Sequence, residues 1–421
     1  MNLTDKEKRM YEGEFGSGTQ KAMSLLKKFG EAFDAEKMVR ANLVHISTNI
    51  PSDLLQEMTE GVTTVRTSCS LHAVFDPTYW RERFGIRSKT RQLLGGLATT
   101  DEEEFSKCLA IFKRIGFFPT FTCVPYTIGI IPRQCDVCMW TGSSGQVASN
   151  SIFGARANRE AASTALATAI TGVTPYMSLL KPENRYAEVL IRVGRFDFDK
   201  FTNADYGALG YYIGGIAGTR NVVIDGLPTV LSLEQCKFIT SPLPVSGPCT
   251  MCHIVGVTPE APTLEAASGA NEPKEIVNVG KREIKETYQK LSNASDNQVD
   301  LVVIGCPHCT IRELKEVASL LEGKKVKEAV RLLVATSNPI YTLAKEAGYA
   351  DIIEKAGSII SNCCATALNP LVYLDGARVV ATNSSRGAHY IQRLSGGKTE
   401  TYYGDVKECI NSAITGKWGG S

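Results

Sequence analysis

The chain's apolar positions first follow a helical spacing. Over residues 3–38, Met23, Leu25, Leu26, Phe29 and Phe33 form one apolar stripe, and Thr4 stands where a first turn needs a cap. Ala41–Ile46 and Thr63–Arg66 then read as short strands flanking a helix over Ser52–Thr59. Phe105–Ile115 predicts another helix, ended by Gly116, and Thr120–Cys123 a strand running into Pro125. Residues 126–159 are rich in Gly, Ser, Pro and Cys with few long apolar runs, the composition of a functional loop region. Glu160–Thr171 reads as a helix stopped by Gly172, and residues 187–198 as a strand.

From about residue 299 the texture alternates. Strands are predicted at Val299–Gly305, Ala329–Thr336, Ser358–Ser361 and Arg378–Thr382, with helices at Ile311–Leu321, Pro339–Gly348 and Gly387–Leu394. This βαβα order predicts a parallel sheet covered by helices, and such sheets hold ligands at the carboxyl ends of their strands. Cys306, Cys363, Cys364 and Asn383 all fall just after predicted strands. The hydrophilic run SNASDNQ at 292–298 marks a surface loop, so the chain divides into N-terminal α/β lobes over 1–298 and a C-terminal α/β lobe over 299–421.

Composition narrows the function classes. A chain of 421 residues with 43% hydrophobic content can bury a large core. Its 46 basic and 44 acidic residues leave a net charge of +2, which gives no electrostatic case for nucleic acid or an acidic membrane surface. No apolar run is long enough for a membrane span. The opening MNLTDKEKRMYEGEFG has no apolar signal region, which predicts a cytoplasmic chain with reduced thiols.

Reduced thiols give the 13 cysteines their meaning. Three CxxC pairs occur, Cys135–Cys138, Cys249–Cys252 and Cys306–Cys309, beside the adjacent Cys363–Cys364 and an isolated Cys123 in FTCVPY. Thiolates are soft ligands suited to zinc and iron–sulfur centres. Each pair also has a plainer reading, as chance or as a redox motif. Cys108, Cys236 and Cys409 stand alone in helix-like patterns and read as small buried apolar residues. Of five histidines, His45 reads as structural, whereas His253 and His308 lie within CTMCH and CPHC and are candidates to touch a substrate or support a cluster.

Several segments carry a resemblance: VDLVVIGCPHCTIRELKEVASLLEGKKV, NSIFGARANRE, HIVGVTPEAPTLEAA, VVATNSSRGAHY, FTCVPY and the opening LTDKEKRMYEGEFGSGTQKAMSLL. Together, and in order over almost the whole chain, they resemble the aconitase X family. The resemblance implies an α/β fold, an aconitase-like catalytic core of several lobes around a central active site. It implies a hydro-lyase that dehydrates a small hydroxy acid such as 5-phosphomevalonate or cis-3-hydroxy-L-proline. It also implies a small swivelling domain, expected here as a separate subunit. An iron–sulfur cluster, 4Fe–4S or 2Fe–2S, is implied on Cys123, Cys306 and one of Cys363 and Cys364, with Cys364 preferred. Arg156, Arg159 and Asn150 in the NSIFGARANRE stretch, with Asn383, Ser384 and Ser385, become candidates for binding an anionic substrate, although Arg156 and Arg159 also suit ion pairs and the 383–385 stretch also suits a helix cap. Ser68, Ser70, Ser143 and His308 become catalytic candidates. Thr258 and Glu260 in GVTPEA are candidates to shape the pocket, Glu260 equally as a helix-start residue.

The chain departs from the family in two places. Where the family carries a GEHxAWxES-like stretch, this sequence reads QCDVCMWTGSSG: Trp140 and Ser143 remain, but Gly142 stands where the family has an acid. Cys135, Cys138, Cys249 and Cys252 are additions, expected as a second Cys-ligated metal site or an enlarged cluster environment, unless the two pairs lie far apart and are unrelated. These departures keep two other readings open, an iron–sulfur paralogue with redox or other chemistry and a metal-binding scaffold subunit.

Overall fold

The computed structural model describes residues 1–48, 50–84, 102–269, 272–367, 369–373 and 376–419. Its first region contains β1 (Met38–Arg40), β2 (Leu43–Ile46), β3 (Ser68–His72), β4 (Phe118–Thr122), β5 (Cys138–Trp140) and β6 (Val173–Pro175). β4, β3, β2 and β5 form one parallel sheet in that order, and β1 pairs antiparallel with β6. The apolar stripe seen in the sequence faces this sheet: Met23 and Leu26 are fully buried with Val44, Ile46 and Leu71 in one core. The opening helical stretch is two helices, Asp5–Tyr11 and Ser17–Ala32, because Gly13 and Gly16 adopt positive φ between them. Thr4 caps the first as expected, in a reciprocal box with Glu7. The strand expected at Thr63–Arg66 is loop, and the strand is instead Ser68–His72, where Cys69 and Leu71 alternate inward.

The second region contains β7 (Val189–Val193), β8 (Val222–Asp225), β9 (Cys252–Ile254) and β10 (Glu275–Val279), paired in parallel in the order β10-β7-β8-β9. Its central helix, Asn203–Ala217, reads poorly in sequence because Gly207, Gly210 and Gly214 interrupt it. They are contact points. A Cβ on Gly210 would lie 2.0 Å from the Ile239 carbonyl oxygen, and one on Gly214 would lie 2.6 Å from that of Leu243. The helices therefore pack backbone to backbone.

The third region contains β11 (Leu301–Ile304), β12 (Arg331–Ala335), β13 (Ile359–Ser361), β14 (Val379–Thr382) and β15 (Glu400–Tyr403), all parallel in the order β13-β12-β11-β14-β15. The helices Ile311–Leu321, Asn338–Glu346 and Ser385–Leu394 fall where the sequence predicts them. Both β11 faces are apolar and buried, as a central parallel strand requires. Among the described residues no helix is long and apolar enough to cross a membrane.

Candidate active site at the converging strand ends

The first and third sheets point the carboxyl ends of their strands at one region. β3 ends in His72, β4 runs into Cys123, and β5 runs through Thr141 and Gly142 into the helix Ser143–Ser151. From the other sheet, β11 runs into Cys306, β13 into Cys363 and Cys364, and β14 into Asn383 and Ser384. Loops at the carboxyl ends of parallel strands are free to carry polar chemistry, since the ladder does not consume their groups.

Thiols from three of these loops lie close enough to interact electrostatically. The Cys123 Sγ accepts the His308 backbone N–H at 3.1 Å, which ties the end of β4 to the loop after β11. The Cys123 thiol feels both Cys306 and Cys364, and burial pushes it up to about 12. Cys306 is likewise raised by burial and by Cys364, and its Sγ lies 3.2 Å from the Thr366 hydroxyl. The adjacent cysteines diverge. Cys363 is fully buried in an apolar cluster with Phe75, Trp80 and Leu333, its Sγ directed to the Cys364 carbonyl at 3.4 Å, whereas Cys364 is half-buried and faces the other two thiols. Cys309 also turns away, into the core beside Leu314 and Val334.

A cation stands over the three thiols. Arg386 feels Cys306, Cys123 and Cys364, and donates to the Ser143 Oγ at 3.0 Å and the Ser241 carbonyl at 3.1 Å. Its guanidinium lies 4.9 Å from the Tyr390 ring centre. No carboxylate among the described residues pairs with it. It also occupies the first turn of the helix Ser385–Leu394, where the helix dipole disfavours a positive charge. Arg386 is the residue that sequence reasoning missed. It lies inside the SSRGAHY segment, and only the serines beside it stood out. Tyr373 is a second such residue: its hydroxyl is buried without a hydrogen-bond partner and feels Cys364 and Cys306.

The imidazoles nearby are neutral. His308 is 1% exposed; its Nε2 donates to the Cys363 carbonyl at 3.0 Å, its buried Nδ1 meets no partner, and burial brings it down to about 4. His72 donates from Nδ1 to the Ala73 carbonyl at 2.9 Å, and burial, with Arg386 adding to it, also brings it to about 4. His45 is structural as expected, spanning the Ser70 hydroxyl and the Thr122 carbonyl at 2.8 Å each.

A buried ion pair fixes the thiol loop from behind. Lys237, fully buried on the helix Leu233–Thr240, donates to the His308 carbonyl at 3.1 Å and pairs with Glu313. Glu313 also accepts the Thr310 backbone N–H at 2.8 Å, closing the cap of the helix after the CPHC loop.

Other sequence candidates fall elsewhere. Ser70 is committed to His45, and Ser68 is exposed at the amino end of β3, opposite the thiols. Ser384 caps its helix through the Gly387 N–H and donates to the Cys306 carbonyl, while Ser385 donates to the Gly207 carbonyl at 2.9 Å. Asn383 lines a separate cavity of about 260 Å³ with Thr202, Glu313 and Asp405. Asn150 and Arg156 belong to a different knot: Glu260 holds both Arg156 and Arg185, and Arg185 donates to the Asn150 Oδ1 at 3.1 Å. Asn150 sits seven residues beyond Ser143 on one helix, about 10 Å away by the helical rise. Arg159 is exposed, His253 donates to the Arg185 carbonyl at 2.8 Å, and Thr258 holds the turn after β9.

The four added cysteines do not form one site. Cys135 is exposed and 3.7 Å from the Arg156 guanidinium, and Cys138 is buried beside Trp140. Cys249 and Cys252 are buried in the core of the second sheet with Ile224 and Phe238. Thiolates on one zinc stand within about 4.6 Å, twice the Zn–S distance. No group of three His, Cys, Asp or Glu among the described residues could hold a single ion. The physical reason is that the two pairs sit at strands of two different sheets: Cys138, Cys249 and Cys252 fill apolar space there, and Cys135 faces solvent. Cys123, Cys306 and Cys364 form no single-ion site either, but a cluster sets a different requirement, since its several irons keep its thiolates farther apart than one ion does.

Comparison with known proteins decides the family. Models of the aconitase X first, second and third domains match residues 1–183, 187–289 and 299–415. The chain belongs to the aconitase X family. Within it, the chain is 31% identical to the phosphomevalonate dehydratase large subunit of Methanocaldococcus jannaschii, over 97% of this chain and 99% of that one. It is 28% identical to the cis-3-hydroxy-L-proline dehydratase of Hypocrea jecorina, over 99% of this chain and 69% of that one. The crystal structure of Thermococcus kodakaraensis aconitase X superposes with a TM-score of 0.82 at 28% identity, covering 98% of this chain and 100% of that one. The aconitase X fold thus agrees with the α/β core expected from the sequence.

Proposed function

We propose that this chain is an aconitase-X-type hydro-lyase that removes water from a small hydroxy acid, with an iron–sulfur cluster held by Cys123, Cys306 and Cys364. The observation that carries the reading is the approach of three thiols from three loops under an arginine that no carboxylate among the described residues neutralises. Soft donors and an uncompensated cation fit a thiolate-bound cluster and an anionic substrate together. The His308 Nδ1 and Tyr373 hydroxyl support it, being buried polar groups without a hydrogen-bond partner among the described residues that a bound species would satisfy. When bound, the cluster supplies a Lewis acid for the departing hydroxyl. Arg386 orients the substrate anion, Ser143 fixes the guanidinium, and His308 offers an acceptor to a substrate hydroxyl.

The substrate classes follow from the relatives, 5-phosphomevalonate or cis-3-hydroxy-L-proline. The relatives named as large subunits support a separate small swivelling-domain subunit as partner. A heterodimer in the cytoplasm, where thiols stay reduced, accommodates these parts. The test is anaerobic reconstitution with iron and sulfide, counting both and reading visible absorbance, followed by dehydration assays on the two substrates with the small subunit added. Iron and sulfide counts distinguish 4Fe–4S from 2Fe–2S. Protein that takes up no iron, or loaded complex that dehydrates neither substrate, refutes the reading.

A further inference from the structure

The strand order of the third sheet reverses once. From β11 the chain steps outward through β12 to β13, then crosses back to β14 and on to β15. The helix that follows β11 packs into one core through Leu314 and Val317, and the helix that follows β14 sends Ile391 into another. The chain therefore leaves the two neighbouring strands toward opposite faces. Such a reversal opens a crevice at the carboxyl ends of the strands, where open α/β sheets take their ligands. The cavity of about 260 Å³ lies there, bounded by Ile304 at the end of β11, Asn383 just past β14 and Asp405 shortly past β15. Its volume falls under the range of about 300–1,000 Å³ common for drug-sized ligands, so it suits a smaller one. It is not the thiol site: Ile304 and Val317 belong to the core on one face of the sheet, and Cys306 packs with Val303 and Leu333 on the other.

The lining is short of donors. Three helices, Asn203–Ala217, Ile311–Leu321 and Val406–Thr415, place their first turns at the wall, and an open helix start would invite an anion. Each is closed by its own side chains instead, Thr202 with Asp205, Thr310 with Glu313 and Asp405 with Glu408. What remains is acceptor. Asn383 is 6% exposed, and its Oδ1 is buried with no hydrogen-bond partner among the described residues, a state that native proteins rarely leave unmet. Glu316, at the rim, makes no hydrogen bond or ion pair among the described residues and feels the charges of Glu313 and Asp405. Glu313 is matched by Lys237, which leaves the excess negative charge on Glu316 and Asp405. Lys407 is the one basic group among the described lining residues, and it is exposed. No group of three His, Cys, Asp or Glu among the described residues could hold a metal ion, so the cation that fits is one that donates hydrogen bonds.

We propose that this cavity is a second ligand site, separate from the thiols, for a small organic ammonium. The charged nitrogen donates to the Asn383 Oδ1 and to the carboxylates of Glu316 and Asp405, and a short apolar stem lies against Ile304 and Val317. The inference is independent of the hydro-lyase reading.

The test is isothermal titration calorimetry on the full chain with n-butylammonium, set against butanol as the neutral and butyrate as the anionic molecule of the same stem. Butylammonium is expected to bind saturably, with the other two weaker by about tenfold or more, the effect of one hydrogen bond to a charged group. Asn383→Leu is expected to weaken butylammonium by about tenfold or more. Asn383 adjoins the loop after β14, so Glu316→Gln at the rim supplies a second variant that leaves the fold untouched. It is expected to weaken butylammonium by about threefold and to reduce the dependence of affinity on salt, because a rim charge is screened. Absence of saturable butylammonium binding overturns the proposal, as does butanol or butyrate binding equally well. Unchanged affinity in a folded Asn383→Leu overturns it too. If Asn383→Leu does not fold, Glu316→Gln decides, with unchanged affinity and salt dependence overturning the proposal.

Discussion

Cys363 and Cys364 turn to different sides, and that decides which of them can join the other thiols. Cys363 fills apolar space against Phe75 and Trp80, while Cys364 faces Cys123 and Cys306. Cys364→Ser is therefore expected to abolish stable cluster uptake, and Cys363→Ser to retain it, measured as iron per chain after anaerobic reconstitution. Equal losses in the two variants would contradict the assignment. The family resemblance narrowed the third thiol to this pair with only a slight preference for Cys364, because the SNCCATALNP segment has no regular period to set its facing. Arg386 was illegible for a related reason: an arginine in a helix's first turn reads as surface, and only its neighbours reveal it as a cation with no counter-ion among the described residues.

At the scale of elements, two contacts hold the thiol loops. The Lys237–Glu313 pair bridges the helix Leu233–Thr240 to the helix after the CPHC loop. Lys237→Met leaves the Glu313 charge buried, so a loss of about 3–5 kcal/mol is expected from urea unfolding. Reduced iron retention should accompany it, since the same ammonium fixes the His308 carbonyl. Gly210→Ala tests the packing of the Gly-rich helix. A Cβ 2.0 Å from a backbone oxygen forces the helices apart, and a cost of about 3 kcal/mol is expected, read as a lower urea midpoint. Here periodicity reads well where a strand or helix presents one apolar face, as in Ile311–Leu321. It reads badly where Gly interrupts the helix Asn203–Ala217, because glycine's value there lies in what it lets approach.

For the whole molecule, buried neutral imidazoles tie stability to pH. Burial lowers His45 to about 3 and His253 to about 4, against an ordinary value near 6.5. The unfolded chain binds protons that the folded chain refuses, so their contribution is complete above about pH 6.5 and is lost as pH falls toward those values. Each such group gives a slope of about 1.4 kcal/mol per pH unit in that window. Cluster-free protein should therefore show a urea midpoint clearly lower at pH 5 than at pH 7, and an unchanged midpoint would contradict the burial of these rings. The expected second metal site failed at this scale. Two CxxC pairs with suitable spacing each end at a strand of a different sheet, and spacing along a chain carries no information about distance between sheets.

The sequence by itself determined the parallel α/β layering of the third region, the loops after β11, β13 and β14 that carry chemistry, and the set of thiols from which a cluster would be drawn. Those features are local: a strand's apolar run, a helix's stripe and a polar break at the strand end all lie within a few residues of one another. Only the tertiary structure decided which thiols approach one another, that Arg386 stands over them, and that Arg156 and Asn150 serve a separate knot. The physical reason is that packing two sheets end to end brings together residues nearly two hundred positions apart, such as Cys123 and His308, and no pattern along the chain records that contact.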